Sequence, residues 1–272
     1  MNQMYVVQEE NDLMHFLLQY FSKKEIKHLF KNKCVFVNEV ENNKHDFILS
    51  LNDKVRIIKK YQDLSILYED KYLIVVEKPF NMLTISDLKE KEKTLYHKVS
   101  TYLKEKNKTS KVFIVHRLDY ETGGLVLFAK DKKIKEILQN DWKNVERKYQ
   151  AIVHGKMEGK GILRFYLKEN KNLFVSVTKN KENAKEAITN YKVISSDEKY
   201  SYLDISIETG RKHQIRVSLK EVNHPILGDK KYGDDSFKHL YLYAHFISFY
   251  HPILKKKITV EAIVPKSFKK IV

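Results

Sequence analysis

The sequence predicts an α+β protein: a small α+β module over residues 1–60, then a domain over 61–272 built on one large, mostly antiparallel mixed sheet. Three observations predict it. Apolar residues recur at helical spacing in only a few short stretches, strand-like runs dominate the later chain, and the gaps between those runs are mostly turn-sized. Short gaps favour direct antiparallel pairing over helical crossovers. With 272 residues and 42% apolar content, the chain has material for one large core and one small one.

The elements follow in order. Leu13, Leu17, Leu18 and Phe21 have helical spacing. "SKKE" then puts Ser22 at an N-cap with Glu25 three residues on, a capping box that opens a second helix carrying Ile26, Leu29 and Phe30. "KCVFVNEV" alternates as a strand, Asn42 and Asn43 supply turn chemistry, and "FILSLNDKVRII" ends the module with a strand around a polar turn. "KKYQD", Lys59 to Asp63, is a short linker. "LSILYEDKYLIVVEKP" reads as a hairpin turning at Glu69, Asp70 and Lys71 and ending at Pro79. Leu95, Val99, Tyr102 and Leu103 give a helix, "KVFIVHRLD" a strand, "GGLVLFAKD" a strand after a glycine turn, and "KKIKEILQNDW" a helix. Strands follow in "RKYQAIVHG", "GILRFYLKE", "LFVSVTK", "AITNYKVIS" and "YLDISIETG". A helix in "KHQIRVSLKEV" and strands in "HLYLYAHFISFY" and "KKITVEAIV" complete the domain.

Lys and Arg number 51 against 35 acids, a formal charge of +16 that favours a polyanionic partner, RNA or DNA before an acidic membrane. Many lysines alternate with glutamates, as in "LKEKEK" from Leu88 to Lys93, which equally describes a solvated face. Genomic base bias also raises Lys, Asn, Ile and Tyr together, so charge alone does not decide the function. No apolar run approaches the ~20 residues of a membrane span, and there is neither a lipidation motif nor a basic amphipathic anchor. "MNQMYVVQEEND" lacks a secretory layout and Cys34 is alone, so no membrane association, no internal disulfide and a cytoplasmic location are expected. No heptad pattern asks for an assembly, and a monomer is expected.

Missing motifs narrow the chemistry. There is no GxxxxGK[ST], no GxGxxG after a strand, no HExxH and no cysteine cluster. His239, His245 and His251 lie six residues apart, roughly 20 Å per step along a strand, too far to share a metal. Neither a metal nor a nucleotide cofactor is expected.

Two segments concentrate the remaining chemistry. In "HRLDYETGGL", His116 to Leu125, Arg117 and Asp119 would share one side of an extended chain, so a local ion pair at a strand end is one reading. The other is an active site, because the aspartate precedes Gly123 and Gly124, where a ligand or backbone can approach closely. In "IETGRKHQIRVSLKEVNHPILGDKKYG", Ile207 to Gly233, Gly210 breaks a strand and Arg211, Lys212, His213 and Arg216 set donors at a helix start. A phosphate-binding patch without chemistry fits that segment as well. Tyr149, directly after Arg147 and Lys148, reads as core, stacking surface or catalyst.

In this order the segments resemble the RluA family of RNA pseudouridine synthases. The family pattern HRLDxxTSGL is matched by His116, Arg117, Leu118, Asp119, Thr122, Gly124 and Leu125, with Gly123 where serine is usual. Its basic-x-tyrosine signature is matched by Arg147 and Tyr149. LxTGRxHQIRxH is matched by Thr209, Gly210, Arg211, His213, Gln214, Ile215 and Arg216, with Ser218 in place of the last histidine. "EDKYLIVVEKP" and "HPILGDKKYG" also resemble family segments, and Tyr243 stands where histidine usually precedes alanine. The first module resembles an S4-type RNA-binding domain, whose helical pair would present Lys23, Lys24, Lys27, His28 and Lys31 to RNA.

The resemblance implies an isomerase that turns uridine into pseudouridine within RNA, without a cofactor. It implies Asp119 as the essential carboxylate, whether it attacks ribose or base or promotes elimination. Arg216 would pair with it and hold its pKa low, and Tyr149 would lie on the uracil ring and could carry a proton. Arg117 would fill the space left by an extruded base, with Arg211 and His213 as further RNA contacts. Large-subunit rRNA is the expected substrate and tRNA the alternative. A noncatalytic RNA-binding or ribosome-assembly protein is the competing class, kept open by the departures at Gly123, Ser218 and Tyr243.

Overall fold

Alternating apolar residues and short amphipathic helices give one core to the first part of the chain, and to the second a large core with a small satellite around Leu167, Val175 and Val217. A computed structural model describes residues 2–31, 34–38, 40–58, 64–86, 93–233 and 237–272. The chain divides into Met1–Asp63 and Leu64–Val272, and the proposed linker at Lys59 to Asp63 lies outside the described residues.

The first unit contains β1 (Asn2–Val6), β2 (Asn11–Asp12), α1 (Leu13–Leu18), α2 (Lys23–Lys31), β3 (Val35–Val37), β4 (Val40–Glu41), β5 (Ile48–Leu49) and β6 (Lys54–Ile58). Asp12 caps α1 by accepting from the His15 N–H at 2.9 Å. The capping box forms as well: Ser22 N–H donates to Glu25 Oε2 at 2.8 Å and Glu25 N–H to Ser22 Oγ at 3.3 Å. Ile26 and Leu29 bury one side of α2 in a core with Leu13, Leu17, Val35, Val55 and Ile57, while Lys23, Lys24, Lys27 and Lys31 stay exposed. The side chain of His28 lies outside the described residues. A four-stranded sheet runs β1-β6-β3-β4. "KCVFVNEV" proves to be two strands, β3 and β4, because Asn38 takes a φ of +48° and turns the chain between them. The first strand, Asn2–Val6, carries no clear alternation and is recruited by pairing with β6 along its whole length.

The second unit contains β7 (Ser65–Glu69), β8 (Leu73–Lys78), α3 (Leu95–Lys106), β9 (Phe113–Ile114), β10 (Gly123–Ala129), α4 (Lys132–Asn140), β11 (Glu146–His154), β12 (Lys160–Glu169), β13 (Val175–Val177), β14 (Lys185–Ser196), β15 (Tyr200–Ile207), α5 (Gln214–Glu221), β16 (Leu242–Tyr250) and β17 (Lys257–Glu261). They form an 11-stranded sheet in the order β13-β12-β14-β15-β11-β16-β10-β8-β7, with β17 on β16 and β9 on β10. Pairing is antiparallel except between β10 and β16, which run parallel at Gly123↔Tyr243 and Gly124↔Ala244. Every residue of β10 is buried, so its apolar run is continuous instead of alternating. Leu95, Val99 and Leu103 of α3 and Ile134 and Leu138 of α4 join the core formed around it. Among the described residues no helix is long and apolar enough to cross a membrane.

The strand expected from Lys111 to Asp119 is reduced to Phe113–Ile114. Beyond it, backbone groups find partners outside the sheet ladder: Gln139 Nε2 donates to Val115 O at 2.9 Å, while Thr84 Oγ1 donates to Leu118 O at 2.8 Å and accepts from Leu118 N–H at 3.2 Å. Asp119 therefore stands on a loop.

Two glycines make the central parallel contact possible. Gly124 takes a φ of +115°, and a Cβ on it would lie 2.2 Å from Ala244 O. A Cβ on Gly123 would come 2.9 Å from Phe80 Cε1 and 3.0 Å from Tyr243 Cδ2. Two of the departures from the family pattern thus meet in one place: the buried Tyr243 ring, whose hydroxyl donates to Glu77 Oε1, occupies space that a serine at 123 would need. Gly123→Ser is expected to cost about 1–3 kcal/mol through overpacking. Adding Tyr243→His should recover part of that loss, a coupling that denaturant unfolding of the four proteins in the cycle measures.

Candidate active site

The loop carrying Asp119 is pinned on both sides. Leu118 is bound to Thr84, and the Tyr120 carbonyl accepts from Lys78 Nζ and from Met82 N–H, each at 3.1 Å. Lys78 is wholly buried at the end of β8 and also donates to Pro79 O at 3.1 Å and Met82 O at 2.8 Å. Burial pulls its ammonium down to about 7, against Asp119 and Glu121, which favour the charge. Folded Lys78 thus gives up its proton near pH 7, whereas the unfolded chain holds it up to about 10.5. Stability should rise with pH across that window, by at most about 1.4 kcal/mol per pH unit. Unfolding free energies of the wild type and Lys78→Met measure this; parallel curves from pH 7 to 10.5 would remove Lys78 as the source.

Asp119, Tyr149, Arg216, Arg117, Arg211 and His213 all line one cavity of about 470 Å³. Lys23, Lys24 and Lys27 belong to the other unit. His239, His245 and His251 are bound elsewhere: His251 Nε2 to Asp70 at 2.8 Å, His245 Nε2 to Asp204 at 3.2 Å, and the His239 ring stacked on Tyr241.

Asp119 Oδ2 lies 3.8 Å from Arg216 Nη1 and 3.8 Å from His213 Nε2. The local ion pair between Arg117 and Asp119 does not form, because the chain there is a loop and the paired guanidinium is that of Arg216. Arg216, in turn, is committed chiefly to a different acid. Its Nε and Nη2 donate to the two oxygens of Asp229 at 2.8 and 2.7 Å, and its Nη1 lies 3.4 Å from Glu121 Oε2. Asp229 Oδ1 also accepts from the Lys231 and Tyr232 N–H groups, each at 3.1 Å.

This arrangement corrects the expectation that Arg216 holds the Asp119 pKa low. Burial raises that pKa above the ordinary carboxylate value, and Arg216, Arg117, Lys78 and Lys212 offset only part of the rise.

Neutral rings surround the acid. His213 takes a left-handed φ of 53° just before α5. The Tyr232 hydroxyl accepts from Val175 N–H at 3.3 Å and lies 2.6 Å from His213 Nδ1. With that hydroxyl donating to Nδ1, the ring proton sits on Nε2, the nitrogen nearer Asp119. Burial pulls His213 down to about 4. Tyr149 follows a β-bulge at Lys148/Tyr149 on β11, which re-aims the side chain. Its ring is buried and its phenol is pushed up to about 12 by burial. The chemistry on offer is that of one carboxylate, with uncharged rings to hold a planar heterocycle and cations to hold its phosphates.

Sequence reasoning assigned no role to Lys78, Thr84, Glu121 or Asp229. Lys78 and Asp229 stand within "EDKYLIVVEKP" and "HPILGDKKYG", so the segments that carry the resemblance contained them. Thr84 lies in no motif, and only its distant partner Leu118 reveals it.

Residues 72–221 match the family model described as RNA pseudouridylate synthase. The chain is 32% identical over 230 residues to the tRNA pseudouridine synthase C of Haemophilus ducreyi, covering 76% of this chain and 93% of that protein. It is 29% identical over 276 residues to the ribosomal large subunit pseudouridine synthase D of Neisseria meningitidis serogroup A, covering 92% of this chain and 74% of that protein. Among solved structures it is similar to human RNA pseudouridylate synthase domain containing 4, with a TM-score of 0.63 and 25% identity over 75% of this chain and 90% of that one.

Proposed function

The chain belongs to the RNA pseudouridylate synthase family, isomerases that act on RNA, and from that premise we propose that Asp119 carries the reaction and that large-subunit rRNA is the substrate. In the isomerisation a uridine N1–C1′ bond breaks and a C5–C1′ bond forms, while C5 loses a proton and N1 gains one. No atom enters or leaves.

The observation that carries the reading is the Asp119 carboxylate in the cavity, 3.8 Å from Arg216 Nη1 and lining the same walls as Tyr149. The carboxylate acts in its ionised form, which the surrounding cations favour. Tyr149 supplies a neutral ring for uracil and a phenol that can give a proton. Extruding the uridine costs a few kcal/mol of stacking. Arg117, exposed beside the cavity, takes the vacated place, and Arg211 and His213 hold the flanking strand. Residues 1–60 act as an S4-like module in which Lys23, Lys24 and Lys27 meet phosphates. The enzyme works as a monomer, and its bacterial relatives support a cytoplasmic location.

The extent of the matches favours rRNA. Leu64–Val272 makes up about three-quarters of the chain, so a match across 92% must run into the first unit, whereas the tRNA enzyme's 76% is no more than the second unit alone can supply. Expression in a host lacking its own large-subunit synthases, followed by mapping of pseudouridine in total RNA, should return a site in large-subunit rRNA. A site confined to tRNA would overturn the substrate, and no new site would overturn the reading as a whole.

A further inference from the structure

Arg147 is a cation for which the reaction as described has no use. It sits two residues before Tyr149 on β11, is 7% exposed, and lines the cavity. Arg216, the other buried guanidinium, has Asp229, Glu121 and Asp119 within 4 Å. Arg147 has no carboxylate counter-charge within 4 Å among the described residues: its Nε donates to Val145 O at 3.2 Å, and burial lowers its pKa with only the Tyr149 phenol offsetting part of the shift. A buried cation without a partner anion is unfavourable, and one that lines a cavity is a candidate for contact with an anionic ligand.

Its surroundings set the guanidinium at the cavity wall. Nη1 lies against Gly210, where a Cβ would come 3.0 Å from it, so the lack of a side chain at 210 leaves that nitrogen room. The guanidinium carbon lies 5.4 Å from the centre of the Trp142 ring, which stacks in turn on His116. Burial, then Arg147 itself, pulls His116 down to about 3, and its Nε2 accepts from Leu127 N–H at 3.1 Å. The histidine is therefore neutral and engaged, and adds no charge to this wall.

We propose that Arg147 binds a phosphodiester of the RNA strand, next to the nucleotide held in the cavity, with Gly210 giving the phosphate its approach and Trp142 backing the guanidinium. The planar fork of an arginine matches a pair of phosphate oxygens. The proposal rests on the reading of the chain as an enzyme acting on RNA, and it assigns Arg147 a ligand contact where a local tie to the backbone before β11 would need only its Nε bond.

Trp142 is the single tryptophan of the chain, so its emission reports this wall directly. Titrations with pentauridylate at several salt concentrations give the slope of log K against log salt. Arg147→Gln should lower the magnitude of that slope by about 0.7, the share of one phosphate on a single strand. Arg147→Lys keeps the charge and should keep the slope; equal loss in both variants would mean that packing is at stake and overturn the proposal, as would an unchanged slope in Arg147→Gln. Should Arg147→Gln fail to fold, Gly210→Ala carries the test without altering charge: binding at least about threefold weaker is expected, on the scale of a charge-assisted hydrogen bond partly lost, and unchanged binding overturns it. Pseudouridine formation is measured on the same wild-type preparation. If that protein is active but indifferent to both substitutions, only this proposal fails; if it forms no pseudouridine, the enzymatic reading fails whatever the slope.

Discussion

Asp119→Asn is expected to reduce pseudouridine formation by about 10⁴-fold, the upper end for a positioned acid–base group, while leaving RNA affinity intact. The amide keeps the shape of the carboxylate, and Arg216 keeps its two bonds to Asp229, so no buried cation is orphaned. The variant should also be more stable at neutral pH. A carboxylate whose folded pKa is raised by burial binds more protons folded than unfolded, so its contribution falls as pH rises from the ordinary value of 3.8 through the raised one. Removing the ionisable group removes that loss. Thermal unfolding at pH 7 and pseudouridine mapping give the two readouts. A variant that keeps activity would take Asp119 out of the chemistry, and one that is less stable would reverse the sign argued from its burial. In the wild type, the acidic limb of kcat/KM should lie above pH 3.8.

Arg216→Met should act first on the fold. It leaves the Asp229 carboxylate, with 0% side-chain exposure, without its guanidinium, a loss of about 3–5 kcal/mol for a broken buried pair. In a domain of this size that is roughly 10 °C in Tm. Asp229→Asn in the same chain removes the stranded charge, so the double variant should be more stable than Arg216→Met alone. Because the Nη1 contact to Asp119 is separate from the bidentate pair, the double variant should regain stability without regaining activity. Recovery of both would show that Arg216 serves the reaction only by supporting the loop after α5.

Much of this architecture was legible because its causes are local. The capping box at Ser22 and Glu25, the continuous apolar run of β10 and the glycine break at 210 each follow from a few adjacent residues. What was illegible depends on distant partners. The strand expected through Asp119 stops at Ile114 because Thr84, 34 residues from Leu118, captures its backbone, and Tyr120 is held by Lys78 from 42 residues away. The polarity of the Asp119 shift was misread for a related reason. A sequence shows that a cation stands nearby, but not that Asp229 claims it, nor how far water is excluded.

The meeting of Gly123 with Tyr243 makes the two positions one unit of exchange. Serine at 123 alone crowds the Phe80 and Tyr243 rings, and histidine at 243 alone leaves a void and strips Glu77 of its hydroxyl donor. Neither position can be exchanged alone without cost, so any transplant of parts between relatives must carry both positions together.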